Sequence, residues 1–132
     1  KIVPLDEPVL DIEVLADIVH GMEKNDGELF LQELATMYIK DVAVFLTTLD
    51  ESIRNNDANQ VRKIAHRVKS GSYAIGTTRL ASLCQHLEYL GQSGDLLEAA
   101  KVMKLLHTEY EQARIVLSAE VCSENQEAAV NS

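Results

Sequence analysis

Hydrophobic positions recur at helical spacing over most of this chain. Leu10, Val14, Leu15 and Ile18 share one face of a short segment from about Leu10 to His20, because residues three, four and eight apart stack on one side of a helix. Gly21 and then Asn25-Asp26-Gly27 interrupt it. Asn25 with Glu28 has capping-box spacing, and Leu31, Leu34, Ala35, Tyr38, Val42, Phe45, Leu46, Leu49 and Ile53 then keep the period to about Asn55. Asp57 with Gln60 opens a third segment carrying Val61, Ile64, Val68 and Ile75. Gly76 closes it, glycine being suited to the left-handed backbone that ends many helices. Thr77 or Thr78 begins a fourth, with Leu80, Leu83, Cys84, Leu87 and Leu90, closed by Gly91 and Gly94. Asp95 with Glu98 repeats the capping-box spacing ahead of a last stripe, Leu96, Ala99, Ala100, Met103, Leu106, Tyr110 and Ala113, which runs to about Leu117.

No strand-type alternation competes with this pattern. Long amphipathic helices joined by links of a few residues lie beside their predecessors in opposite directions. The pattern therefore predicts an all-α protein, an antiparallel up-down-up-down four-helix bundle with a short extra N-terminal helix over one end. Residues 1–9 read as an extended lead-in and 10–118 as the bundle. Residues 119–132, polar and without a sustained stripe, read as a disordered tail.

Composition narrows the class. A chain of 132 residues is one domain's worth and buries a core without staples. Cys84 sits on an apolar stripe and Cys122 in the polar tail, a pairing that fits neither a disulfide nor a thiol metal site and agrees with a reducing cytoplasm. No apolar run approaches the roughly 18 residues needed to span a bilayer, and the start lacks the apolar core of a signal peptide. A soluble, cytoplasmic segment without membrane contact is expected.

Charge singles out one face. The chain carries −9, yet Ala58 to Leu87 holds no Asp or Glu and five cations, Arg62, Lys63, Arg67, Lys69 and Arg79, which leaves −14 for the remainder. On a helix whose core side is Val61, Ile64, Val68 and Ile75, His66 points to solvent with Arg62, Lys63, Lys69 and Tyr73 around it. A histidine on a polar face is most often only a solvated residue. Here the basic setting favours a phosphoryl group, and the ordinary histidine pKa of about 6.5 leaves a large neutral, nucleophilic fraction near pH 7. Five clustered cations without interleaved aromatics on an acidic protein make a poor nucleic-acid site. No Gly-rich phosphate loop is present, so the domain draws no phosphate from a nucleotide by itself. His20 and His86 are isolated. His107 and Glu111 share a helix face without a third ligand, so no metal site is expected.

The stretch Ala65-His66-Arg67-Val68-Lys69-Ser70-Gly71-Ser72-Tyr73-Ala74-Ile75-Gly76, followed by Leu80, Leu83-Cys84 and Leu87-Glu88, closely resembles the signature of histidine-containing phosphotransfer (HPt) domains of two-component phosphorelays. That signature is an Ala-His pair, Lys three residues on, a small residue next, Gly ten after the His, and a Leu-x-x-Cys-x-x-Leu-Glu helix. The resemblance covers about Leu10 to Val116; it departs where the family commonly has Gly and this chain has Ser70, with Gly71 one place later. It implies that His66 takes a phosphoryl group from a receiver-domain aspartate and passes it to another, and that Lys69 binds the phosphoryl oxygens. It further implies that Glu88 orients the imidazole, and that the partner receiver brings Mg²⁺, this domain needing no cofactor of its own. Arg62, Lys63, Arg67, Ser70 and Tyr73, with apolar help from Val14 or Ile18, are the expected receiver contacts. Gly71 and Gly76 are expected to be structural, and Arg79 has no assigned role. The protein reads as a monomeric carrier and not an enzyme. Its start without Met and its lead-in favour the C-terminal module of a hybrid sensor histidine kinase, the cytoplasmic part of a membrane-bound parent. The alternative is a helical adaptor that binds receivers without being phosphorylated; it would need neither His66 nor Lys69.

Overall fold

The computed structural model describes residues 6–131, with side chains described from 6 to 122. Its elements are α1 (Ile12–Ile18), α2 (Lys24–Arg54), α3 (Ala58–Ile75), α4 (Thr78–Ser93) and α5 (Leu96–Asn131). No strand occurs among the described residues. Helices α2 to α5 form the expected antiparallel bundle, each of α2 and α4 packing against both α3 and α5, with α1 laid over one end.

The caps explain most boundaries. The Asp57 carboxylate accepts from the Gln60 N–H at 3.1 Å to start α3, and the Asp95 carboxylate accepts from the Glu98 N–H at 3.1 Å to start α5. Gly76 closes α3 with φ +94°, its N–H donating to the Ser72 carbonyl, while its own carbonyl accepts from the Asp11 N–H at 2.8 Å. A Cβ there would lie 2.7 Å from the Asp11 carbonyl oxygen. The left-handed turn and the seat of α1 thus require the same glycine.

Three boundaries differ from the sequence reading, each for a packing reason. Helix α2 starts at Lys24, ahead of the Asn25–Glu28 box, so Gly27 lies in its first turn. A Cβ on Gly27 would come 3.1 Å from Val19 Cβ; the glycine lets the end of α1 rest on α2. Gly91 is inside α4 and Gly94 caps it. A Cβ on Gly91 would stand 2.7 Å from the Arg62 backbone nitrogen, so its missing side chain lets the backbones of α3 and α4 approach closely there. Helix α5 continues past Leu117 because Val121 extends its buried stripe against Leu10, Leu15 and Leu31. Residues 119–122 are accordingly helical and not a loose tail. The expected disorder over 119–132 otherwise falls on residues 123–132, whose side chains lie outside the described residues, as do residues 1–5 of the lead-in.

The core divides in two. A main cluster runs through the bundle, with Val42, Leu46, Leu49, Val61, Val68, Leu80, Leu87 and Leu106 among its members, and a second lies at the α1 end around Leu15, Leu31, Ile75 and Leu117. Near the second, Tyr38 Oη shares hydrogen bonds with Ser72 Oγ at 2.6 Å and Thr77 Oγ1 at 2.7 Å, which ties α2 to the α3–α4 turn. Burial, only partly offset by these bonds, pushes the Tyr38 phenol up to about 12. The phenol therefore stays protonated and can donate.

The lead-in is fastened to α4. Thr78 Oγ1 donates to the Pro8 carbonyl, Arg79 Nε to the Glu7 carbonyl and Ser82 Oγ to Glu7 Oε1, all near 3 Å. Arg79 also lies 3.7 Å from Glu109, a buried carboxylate whose burial raises its pKa. The cation left without a role in the sequence is thus a clamp between the lead-in, α4 and α5.

Candidate functional site

The α3 hydrophobic stripe faces the bundle, which leaves His66 outward with its side chain 56% exposed. Helix α4 runs antiparallel beside it and brings Glu88 to the base of the imidazole. His66 Nδ1 lies 3.0 Å from Glu88 Oε2, and Lys69 Nζ donates to Glu88 Oε1 at 2.8 Å. Burial acts to raise the Glu88 pKa, but the hydrogen bonds and charges of Lys69 and His66 outweigh it and hold the carboxyl below its ordinary value. Glu88 is therefore a carboxylate, with no proton to give. The hydrogen bond to the ring must run from Nδ1–H to Glu88, and this tautomer leaves the Nε2 lone pair pointing at solvent.

The rest of the basic island is spread around that nitrogen. Arg62 donates to Asn59 Oδ1 at 2.8 Å, Lys63 is exposed, and the Arg67 guanidinium sits 5.7 Å over the Phe45 ring of α2. A shallow depression of about 390 Å³ lies beside His66, lined by Gln60, Arg62, Lys63, Ile64 and Arg67. Ser70 is exposed one turn along, and Tyr73, itself exposed, donates to Gln85 Oε1 at 3.4 Å. Gly71 differs from its expected structural role, since a Cβ there would meet nothing within 4 Å. Its smallness fills no packing need and leaves room outside the helix. Val14 and Ile18 are half-buried, Ile18 against the second core, because α1 turns its apolar side to the bundle end; Ile12 is the exposed apolar residue of α1.

Cys84, one turn before Glu88, is fully buried, and burial pushes its thiol up to about 12, the neighbouring Glu88 adding to the effect. A neutral thiol of that kind is an inert core residue. His107 Nε2 pairs with Asp50 Oδ2 at 2.8 Å across α5 and α2, a contact between remote residues that no local spacing reveals. Among the described residues no group of three His, Cys, Asp or Glu side chains is arranged to hold a metal ion. No described helix is long and apolar enough to cross a membrane.

A family model, the Hpt domain, matches residues 33–115, which include His66, Lys69 and Glu88. The chain belongs to the Hpt family. Its fold is similar to the crystal structure of histidine-containing phosphotransfer protein B (HptB) from Pseudomonas aeruginosa PAO1, at 28% sequence identity and a TM-score of 0.77. That match covers 88% of this chain and 96% of the other. No curated protein matches it by sequence. An Hpt domain is a phosphotransfer carrier of two-component relays and not an enzyme in the usual sense. The exposed ring nitrogen on α3 is the feature such a carrier needs.

Proposed function

We propose that His66 Nε2 accepts a phosphoryl group from the phosphorylated aspartate of a receiver domain and yields it to the aspartate of another. The observation that carries this reading is the Lys69–Glu88–His66 chain, which fixes one tautomer and aims its lone pair outward. The Nε2 lone pair attacks phosphorus, an N–P bond forms, and the P–O bond to the donor aspartate breaks, so that the aspartate leaves as a carboxylate. The Nδ1 proton stays on the ring, and Glu88 stabilises the positive charge that the imidazole acquires. Lys69 has further N–H groups beyond the one given to Glu88, and these reach the phosphoryl oxygens from one turn along the same face. Transfer onward runs through the same steps in reverse. Mg²⁺ enters with the receiver's own carboxylates.

The receiver meets the α3 face through Arg62, Lys63, Arg67, Ser70 and Tyr73, whose charge complements an acidic phosphorylation site. Incubation with a phosphorylated receiver and Mg²⁺ tests the reading. Acid-labile, base-stable phosphate appearing on this chain supports it. A chain that binds a panel of phosphorylated receivers yet stays unlabelled is instead an adaptor.

A further inference from the structure

A groove opens between α1, the start of α2 and the far end of α5. Its volume is about 480 Å³, within the range of clefts that seat a ligand. Leu15 and Leu31, both buried, form its floor, and Ile12, Ala16, Val19 and Met22 supply further apolar lining. On α1 the row Ile12, Ala16 and Val19 follows from the three- and four-residue spacing of one helix face. Helix α1 has seven residues, too few to cover both the α3–α4 turn, where Asp11 and Val14 meet Gly76, and the cleft between α2 and α5. Ile12 and Met22 are left 57% and 42% exposed, apolar surface that the cores of this fold do not use.

The charges around the groove restrict what can fill it. Three carboxylates, Glu23, Glu28 and Glu120, line it against one ammonium, Lys24. None of the four has an ion-pair partner among the described residues. Exposed Glu13 and Asp17 extend the negative field along α1. An anionic membrane and the acidic phosphorylation site of a receiver are both repelled. A second copy of this chain carries its basic island on α3, whose Val61, Ile64, Val68 and Ile75 are buried in its own core, so it offers cations without an aliphatic anchor. A small amine answers one carboxylate and leaves the others unpaired. A polypeptide segment with apolar side chains and several cations answers both floor and rim.

We propose that this groove docks a basic amphipathic helix of a partner protein, its apolar side chains seated over Leu15 and Leu31 and its Lys or Arg residues beside Glu23, Glu28 and Glu120. Among the described residues none of α3 or α4 lines the groove. Val14 and Ile18, the α1 residues expected to help a receiver, lie at least about 100° around that helix from the Ile12 row. The bound segment therefore leaves the His66 face open, and the inference is independent of the phosphotransfer reading.

Titration with a set of synthetic helical peptides of about 14 residues tests it, each presenting Leu, Phe or Trp at i and i+4 among Lys and Arg, with amide chemical shifts as the readout. Saturable binding in the micromolar range is expected within this set, the shifts confined to α1, the start of α2 and the end of α5. Ala16→Arg, which fills the groove and meets its carboxylates from within, is expected to weaken binding at least about tenfold with unchanged circular dichroism. Glu28→Lys combined with Glu120→Lys is expected to weaken it as well, and to favour the counterpart peptides in which Glu replaces each Lys and Arg. The proposal is overturned if no basic peptide saturates by about 1 mM, if binding is indifferent to both variants, or if the shifts fall on α3. Binding of phosphatidylglycerol vesicles in place of the peptides, or a concentration-dependent dimer that Ala16→Arg abolishes, gives the groove to a membrane or to a second copy and overturns it too.

Discussion

Two histidines of this protein stand almost equally close to a carboxylate, His66 at 3.0 Å from Glu88 and His107 at 2.8 Å from Asp50, and both are about half exposed. They differ in which nitrogen is engaged. His66 commits Nδ1 and presents Nε2, the atom farthest from its own backbone, whereas His107 commits Nε2 and keeps Nδ1 close against its helix. They differ also in setting, because Glu88 is shared with Lys69 at the edge of a window without acids, while His107 lies on a segment of mixed charge, with Lys104 behind it and Glu111 one turn on. A histidine–carboxylate pair is thus not in itself a site. The nitrogen left free and the charge around it decide whether a phosphoryl group can be received.

The sharpest test of that contrast is replacement of each ring. His66→Gln is expected to abolish labelling by a phosphorylated receiver, and His107→Gln to leave it intact. Both side chains are solvent-facing, so each change is expected to move stability by no more than about 0.5 kcal/mol. Label retained on the His66→Gln protein, located by peptide mapping at another histidine, would erase the distinction.

Lys69 pairs with the carboxylate that His66 uses, whereas Asp50 beside His107 has no ion pair with a lysine or arginine among the described residues. Lys69→Ala is expected to slow transfer on the order of tenfold to a hundredfold, the range for removing one donor from a developing anion, while the thermal transition keeps its shape. Rapid-quench measurement of the phosphorylated chain checks this; an unchanged rate would leave Lys69 a surface charge that merely holds Glu88.

Reversing Arg62 and Arg67 together to Glu addresses the wider basic face. Association with a receiver is expected to slow by roughly tenfold at low salt, with a shallower salt dependence than wild type. Stopped-flow binding at two ionic strengths reads both quantities. Equal association rates, or a receiver mapped by chemical shift to the acidic α2–α5 side, would place docking elsewhere.

Why the α3 site was legible in the sequence and other features were not is a matter of range. His66, Lys69 and Gly76 lie on one helix and its cap, where spacing alone fixes the face, and the absence of acids over thirty positions is visible without any fold. The Tyr38–Ser72–Thr77 link, the Arg79 clamp and the His107–Asp50 pair join residues 30 or more positions apart, with the single exception of the contact within the α3–α4 turn. Helical periodicity says nothing about such meetings. The glycines mislead for the same reason: Gly27 and Gly91 look like breaks, but each sits inside a helix because another helix passes within a Cβ's reach.

The smallest expected effect concerns the proton inventory of Glu88. Its pKa is held below the ordinary carboxylate value because Lys69 and His66 together outweigh the cost of its partial burial. A group with a depressed folded-state pKa contributes stability that is fully present above its unfolded value, and loses it as pH falls through the folded one. Between the ordinary carboxylate range and the lower value in the fold, the wild-type chain therefore keeps an interaction that a Gln at position 88 lacks. Glu88→Gln retains a hydrogen-bond acceptor for Nδ1–H but no charge for Lys69. Its urea midpoint is expected to sit slightly below that of wild type near neutral pH, and the gap to narrow as Glu88 takes up its proton on acidification. With the carboxylate partly open to solvent, the difference is expected to be modest. A gap that widens on acidification would mean that Glu88 prefers its neutral form in the fold, and the tautomer assigned to His66 would lose its basis.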